Sequence, residues 1–448
     1  MRSLATTFTV LSLVVQLRAS EVASAIGGRL IGDDVLIAGV HFDSRADIRH
    51  CLFVAIRADR NGHDFVPDAF DRGANCALVS EDVDDVAGSL IIVDDTMRAF
   101  SDLAVHVRLQ QLSAVAVVGV TGSVGKTSTK NFIAGALSST AVWASPKSFN
   151  NEQGVPYTLI NTPSGTRTVV VEMGMRGFGE ITHLCDVALP NIGVVTRVGQ
   201  AHTARLGGIE GVARAKAELV ASLPTSGTAV LNADDERVLA MSAIAPGAVV
   251  TYGQHGDVTP TEVQFDAFGR ARFRFDSPWG SAQVALQVAG EHMMSNALAA
   301  IAVGGVLKVS LEEMVVGLEA VDSEDHRMVV HDLASGSLLI DDCYNANPTS
   351  VVAALRTLAD LDVSRRIAVL GEMAEVDEPV AAHRSVADTA SHLGIKVIPI
   401  MTDLYGGERS DVLPAFVMEM LATGDTAVLV KGSRVAGLER IVEEILHG

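Results

Sequence analysis

The stretch Val115-Ala-Val-Val-Gly-Val-Thr-Gly-Ser-Val-Gly-Lys-Thr-Ser-Thr-Lys130 constrains this chain more than any other. An apolar run enters a Gly-Ser-Val-Gly-Lys-Thr turn, and a helix-compatible segment follows. Glycines there let backbone N–H groups close on a phosphate, Lys126 adds a mobile positive charge, and Thr127 offers a hydroxyl to Mg2+. A strand, a phosphate cradle and a helix are therefore expected, with ATP or GTP as the ligand. The candidate cradle is Gly119, Val120, Thr121, Gly122, Ser123, Val124, Gly125, Lys126, Thr127 and Ser128. Val120 stands where the strict motif has its first glycine, and Gly119 precedes it.

A chain of 448 residues exceeds what one core usually supports, and at roughly 150 residues per domain about three domains are expected. Its formal charge of −20 argues against nucleic acid or an anionic membrane as the main partner. Cys51, Cys76, Cys185 and Cys343 lack paired metal-ligand spacing, which fits reduced structural thiols in a cytoplasmic protein. No oligomeric signal stands out, so a monomer is expected.

Arg2 and the apolar run Leu4 to Leu17 resemble a signal peptide, with Ala23-Ser-Ala25 as a cleavage site. ATP is scarce outside cells, and the run is too short and too rich in Thr and Ser to span a bilayer. A dispensable extension over 1–17 or an upstream start is the favoured expectation, with no stable membrane insertion. A capped short helix ended by glycines is expected from Arg18 onward.

Three regions follow. Residues 18–112 mix short strands (Leu52–Ile56, Cys76–Val79, Leu90–Val93) with helices and predict a small α/β domain. Over 113–321, the apolar runs Ala114–Val118, Thr168–Val171, Ile192–Thr196 and Thr228–Leu231 alternate with helices, which predicts a mostly parallel sheet. Within it, Gln264–Phe275 and Ala282–Val288 predict an antiparallel excursion. Over 322–448, a second βαβ series (Leu338–Ile340, Ile367–Leu370, Val397–Ile400, Ala427–Val430) predicts a Rossmann-like domain without a dinucleotide fingerprint.

Ligands of open parallel sheets gather at the carboxyl ends of the strands. Glu172 ends one apolar run, and His202 follows another. Beside a phosphate loop, a carboxylate and an imidazole can hold a divalent metal; a solvated strand-end Glu and a loop His are the plainer alternatives. Lys216 falls on the apolar stripe Ile209, Val212, Leu219, Leu223 of a helix expected over Ile209–Leu223. It either snorkels to water, the commoner outcome, or is held in a desolvated place that frees a neutral, modifiable amine.

Taken in order, several segments together resemble the Mur ligases. They are the phosphate loop, Asn150-Asn-Glu-Gln-Gly-Val-Pro156, Val171-Glu-Met-Gly174, Ala215-Lys-Ala-Glu-Leu219, Leu231-Asn-Ala-Asp-Asp235, Asp341-Asp-Cys-Tyr-Asn-Ala-Asn-Pro348 and Leu370-Gly-Glu-Met373. The resemblance runs from about Arg18 to the end and is strongest to the branch that joins D-alanyl-D-alanine to UDP-N-acetylmuramoyl-tripeptide. It implies an N-terminal domain for the UDP-sugar, a central ATPase domain and a C-terminal domain that closes over ATP and the dipeptide.

By position, the resemblance implies that Thr127 and Glu172 hold one Mg2+, and that His202 and a carbamylated Lys216 hold a second. Asn296 matches an adenine-contacting asparagine, and Arg327 an arginine that approaches the phosphates beside Lys126. Asn345, Asn347 and Tyr344 fall in a loop facing nucleotide and acceptor. Ser44, Arg45, Asn61 and His63 match segments near the UDP-sugar, and Asn151 joins them as a substrate residue. The implied reaction passes through an acyl phosphate.

Three departures stand out: Arg49-His-Cys51 in place of a Pro-Gly-Asp turn, Met293 after His292, and Thr203-Ala-Arg205 after His202. A Mur-type paralogue with another acceptor, or a nucleotide-binding regulator that no longer ligates, stays open at this level.

Overall fold

The computed structural model describes residues 16–83, 86–200 and 203–447. It is an α/β protein whose contacts divide into two compact units. One comprises Met1–Gly119, Thr140–Gly174 and Thr182–Asn191; the other comprises Val120–Ser139, Met175–Ile181 and Ile192–Gly448.

In the first unit, a five-stranded sheet runs in the order Arg29–Ile31, Ser89–Ile92, Cys76–Val79, Leu52–Val54, Val40–His41. The first pair is antiparallel and the others are parallel. Cys76–Val79 is buried along its whole length, as expected of a strand packed on both faces. The capped helix expected after Arg18 is present as Ala19–Ala25. Gln16 and Leu17, which fall within the expected extension, instead pair with Ala38 and Ile37. Burial of Leu17 gives that short strand its anchor. At the divergent Arg49-His-Cys51 turn, His50 adopts φ +64 and donates its N–H to the Gly73 carbonyl.

The central sheet runs in the order Ala248–Tyr252, Thr228–Asn232, Ile192–Val195, Ala116–Thr121, Thr168–Glu172, Val142–Ala144. Thr168–Val170 pairs in parallel with Val142–Ala144, and Thr228–Asn232 pairs in parallel with both Ile192–Val195 and Ala248–Tyr252. The division between units falls inside the strand Ala116–Thr121, after Gly119. Continuous Val-rich burial, as in Thr168–Glu172, is what a parallel sheet covered by helices requires.

In the second unit, an antiparallel sheet holds three strands, Thr259–Phe265, Arg270–Ser277 and Gly280–Ala289. The single run expected over Gln264–Phe275 is therefore interrupted. Asp266 accepts from the N–H groups of Phe268 and Arg270, and Gly269 takes φ +74, so the chain reverses there. The C-terminal sheet runs Val329–Asp332, Leu338–Asp341, Thr426–Lys431, Arg365–Leu370, Lys396–Pro399, with the first strand an antiparallel edge and the rest parallel. No helix among the described residues is long and apolar enough to cross a membrane.

Candidate active site

Strand Ala116–Thr121 delivers the phosphate loop to the N-terminus of helix Lys126–Ala136. Gly125 occupies the N-cap at φ +83, where the left-handed backbone disfavours a side chain. Gly122 is required by space as well, because a Cβ there would lie 1.8 Å from Thr196 Oγ1. The loop is tied down by its neighbours. Ser123 N–H donates to the Arg197 carbonyl at 2.7 Å, and the Thr196 hydroxyl donates to the Val124 carbonyl at 2.6 Å. Ser123 Oγ accepts from Gly199 N–H at 2.9 Å. Lys126 folds back so that its ammonium donates to the Gly122 carbonyl at 2.8 Å. These bonds fix the backbone path of the cradle, and the N–H groups of the first helical turn have no acceptors within the helix itself.

Lys216 lies on helix Ile209–Ala221 and is 3 % exposed, among the buried Val212, Leu219 and Val220. The commoner expectation of snorkelling is overturned: Lys216 stays inside with its stripe neighbours Val212, Leu219 and Leu223. Burial, with the charge of Lys126 adding to it, pushes the Lys216 amine well below its ordinary range. A neutral amine is the form that reacts with carbon dioxide to give a carbamate.

Glu172 is 1 % exposed. Its Oε1 accepts from Asn150 Nδ2 at 2.9 Å, whereas its Oε2 is buried without a hydrogen-bond partner among the described residues. A buried carboxylate oxygen left this way is costly unless a cation completes it. Thr127, also buried, supplies a hydroxyl at the start of its helix. The Thr127 hydroxyl and the Glu172 carboxylate are each oxygen donors of the kind a hard divalent cation accepts, and Lys216 would be one only as a carbamate. His202, expected as a further ligand, lies outside the described residues.

Asn296 is buried beneath the loop: its Oδ1 accepts from the Thr129 hydroxyl at 3.1 Å, and a Cβ on Gly125 would meet that oxygen at 2.8 Å. Arg327 stacks 3.9 Å from the Tyr344 ring centroid and pairs with Glu324 at 3.3 Å. Glu324 also accepts from Asn131 at 2.8 Å and faces the buried Lys130 at 3.7 Å, so it joins the phosphate-loop helix to the arginine. Asp342 pairs with the buried Lys431 at 2.5 Å, and Lys431 donates to the Asn345 carbonyl at 2.9 Å. Asn345 Oδ1 accepts from Ala346 N–H, and Asn347 caps helix Pro348–Asp360 through Ser350 N–H. Glu324, Lys431 and Asn150 were not singled out by the sequence. Lys431 finds its partners far along the chain, as Glu324 does in Lys130 and Asn131, and Asn150 had a local signal in its place in the Asn150–Pro156 motif.

The remaining substrate residues are occupied within the first unit. His63 Nε2 accepts from Ser80 N–H at 2.9 Å, so the neutral ring carries its proton on Nδ1, 2.8 Å from Asn61 Oδ1. Burial holds His63 below its usual range. Asn61 Nδ2 donates to Glu81, Ser44 hydrogen-bonds Asp68, and Arg45 forms an exposed pair with Asp43 at 2.8 Å. Asn151 Oδ1 accepts from Gly154 N–H at 3.0 Å, just ahead of helix Gly154–Ile160.

A phosphate loop on a parallel sheet, a desolvated lysine and an αβ domain that follows are the architecture of a nucleotide-binding protein. Family models for the Mur ligase middle domain and for the Mur ligase glutamate ligase domain match residues 120–304 and 326–434. The chain belongs to the Mur ligase family. A Mycobacterium tuberculosis relative named UDP-N-acetylmuramoyl-tripeptide--D-alanyl-D-alanine ligase is 33 % identical, covering 97 % of this chain and 98 % of its own. A crystal structure of MurF from Acinetobacter baumannii superposes with a TM-score of 0.89 at 28 % identity, covering 97 % of this chain and 100 % of that one. MurF from Thermotoga maritima in complex with ADP gives 0.80 at 25 %, covering 91 % and 96 %.

Proposed function

We infer that the chain is an ATP-dependent ligase that joins D-alanyl-D-alanine to UDP-N-acetylmuramoyl-tripeptide, a step in making peptidoglycan precursor. The observation that carries the chemistry is the buried Lys216, near enough to Lys126 of the phosphate loop to feel its charge. Full-length similarity to relatives that bear this activity in their names supports the substrates.

Joining a carboxylate to an amine first requires two anions to meet. The loop N–H groups and Lys126 hold the triphosphate, and the Lys126 ammonium leaves the Gly122 carbonyl for a phosphate oxygen. A peptide carboxylate oxygen attacks the γ-phosphorus as its bond to the bridging oxygen breaks, giving an acyl phosphate and ADP. The dipeptide's neutral amine attacks the acyl carbon, the tetrahedral intermediate loses the amine proton, and inorganic phosphate departs. Arg327, held by Glu324 and Tyr344, would approach the phosphates, as the family resemblance implies. Water must be kept from the acyl phosphate, so closure of the C-terminal domain belongs to the cycle.

Mg2+, when bound, supplies charge neutralisation between carboxylate and triphosphate. Thr127 and Glu172 would hold one ion, and His202 with Lys216, carbamylated by addition of carbon dioxide to its neutral amine with loss of a proton, would hold a second. Asn296 contacts the adenine, and Asn345, Asn347 and Tyr344 face nucleotide and acceptor. Ser44, Arg45, Asn61, His63 and Asn151 serve the UDP-sugar substrate. A single copy of the chain carries all these groups, and the cytoplasm supplies its ATP.

The test is ADP release by the purified full chain with ATP, Mg2+ and UDP-N-acetylmuramoyl-tripeptide, with and without D-alanyl-D-alanine. Dipeptide-dependent turnover and a product heavier by one dipeptide less one water are expected. Absence of that dependence rejects the assignment.

A further inference from the structure

The entry to the C-terminal sheet gathers three side chains that ligation leaves unused. Asp341 ends the strand Leu338–Asp341, and Cys343 follows two residues later. His326 is brought back beside them because Tyr344 N–H donates to its carbonyl at 3.1 Å. Its Nδ1 lies 2.8 Å from Asp341 Oδ2 and 3.5 Å from Cys343 Sγ. The donor atoms of all three lie within 4.8 Å of one another. Cys343 is fully enclosed, Asp341 is 4 % exposed, and His326 is half-buried.

We propose that His326, Asp341 and Cys343 form a binding site for one zinc-like divalent ion, separate from any Mg2+ that accompanies ATP. A thiolate, an imidazole and a carboxylate are the donors that zinc accepts, and three protein ligands leave a fourth position for water. Magnesium prefers oxygen ligands and disfavours a thiolate. Tetrahedral zinc with bonds of about 2.0–2.3 Å separates its ligands by about 3.5 Å; the Nδ1–Sγ distance of 3.5 Å already matches, and the Nδ1–Oδ2 distance of 2.8 Å has to open by less than about 1 Å.

Proton balance is simple. Asp341 can only accept from His326 Nδ1, so that proton moves to Nε2 on ligation, and the Cys343 thiol gives its proton to solvent. Until then the thiol stays protonated, since burial and the neighbouring Asp341 push it above its ordinary range. The ion would also connect two segments. His326 precedes Arg327, and Cys343 precedes Tyr344, on whose ring Arg327 stacks. An ion here fixes that stack from both sides.

The experiment uses the full chain, stripped with a chelator and dialysed into Mg2+ buffer. Co2+ is added as a probe and then displaced with Zn2+. One Co2+ per chain with thiolate-to-metal charge-transfer absorption is expected, together with a rise in melting temperature on adding Zn2+. Cys343→Ser should abolish the absorption, and His326→Asn, which tolerates the left-handed backbone at φ +61, should weaken Zn2+ binding at least tenfold. No thiolate absorption in the unmodified chain, or undiminished Zn2+ affinity in His326→Asn, overturns the proposal. If Cys343→Ser does not fold by circular dichroism, those two readouts decide alone. None of them depends on ligation.

Discussion

The phosphate loop and the N-terminal residues Ser44, Arg45, Asn61 and His63 are both polar stretches expected to meet anionic substrates, and they are built in opposite ways. The loop works through its backbone. Gly122 and Gly125 set the path, Ser123, Thr196 and Gly199 brace it, and Lys126 is parked on a carbonyl that a phosphate oxygen can replace. In the N-terminal set the side chains hold one another: His63 bonds Ser80 and Asn61, Asn61 bonds Glu81, and Ser44 bonds Asp68. A site made by backbone shape leaves its mark in spacing. A site made of side chains already engaged in the fold is hard to tell from the fold itself.

The largest effect should come from Lys216. Replacing it with alanine removes a buried amine and should cut ligation on the order of 10³-fold, the scale of losing one preorganised charge-stabilising group. High bicarbonate should restore little, and the melting temperature should not fall. Full dipeptide-dependent ADP release in Lys216→Ala would remove the carbamate role.

Next comes the backbone itself. A methyl group at Gly122 collides with the Thr196 hydroxyl, so Gly122→Ala should displace the loop and weaken ATP use roughly 10²-fold, as misplacement by about an ångström does. An unchanged KM for ATP would show that the loop yields, and would blur the contrast with the N-terminal set.

For His63 the expected loss is stability. His63→Gln should cost about 1–3 kcal/mol, from a buried Ser80 N–H and Asn61 oxygen left poorly matched. The pH dependence has a definite sign. Burial sets the native value below 6.5, so as pH falls below 6.5 the unfolded chain takes up the proton first and native stability declines. Above 6.5 both states are neutral and no such dependence remains. Urea unfolding at several pH values should therefore give a flatter acid limb in His63→Gln. If the variant keeps its stability and only its KM for the UDP-sugar substrate rises, His63 is a ligand residue rather than a brace.

Arg45 marks the small end. Its pair with Asp43 is exposed, and exposed pairs contribute little, so Arg45→Ala should leave the melting temperature unchanged. A raised KM for the UDP-sugar substrate in calorimetrically intact protein would assign Arg45 to binding, and no change in either would confine it to the surface.

Much of the fold was legible because its elements are local. Cys76–Val79 and Thr168–Glu172 are apolar runs whose composition already names a buried strand, and the capped helix after Arg18 needs only its neighbours. Across Gln264–Phe275 the alternation continues through Asp266 to Gly269, so the pattern conceals the side-chain turn that separates two strands there. The edge strand Val329–Asp332 escaped notice, since a half-buried, mixed segment carries no period of its own.

Sequence by itself determined that a phosphate loop joins a strand to a helix, and that a lysine sits on the apolar stripe of a later helix. Both follow from periodicity and from the conformations open to glycine, which act over a few residues. Only the tertiary structure decided that Lys216 stays inside, that Asn150 holds Glu172, and that His326, Asp341 and Cys343 converge. The reason is physical: desolvation and hydrogen bonding depend on which distant segments close around a group, and one sequence position does not state its neighbours.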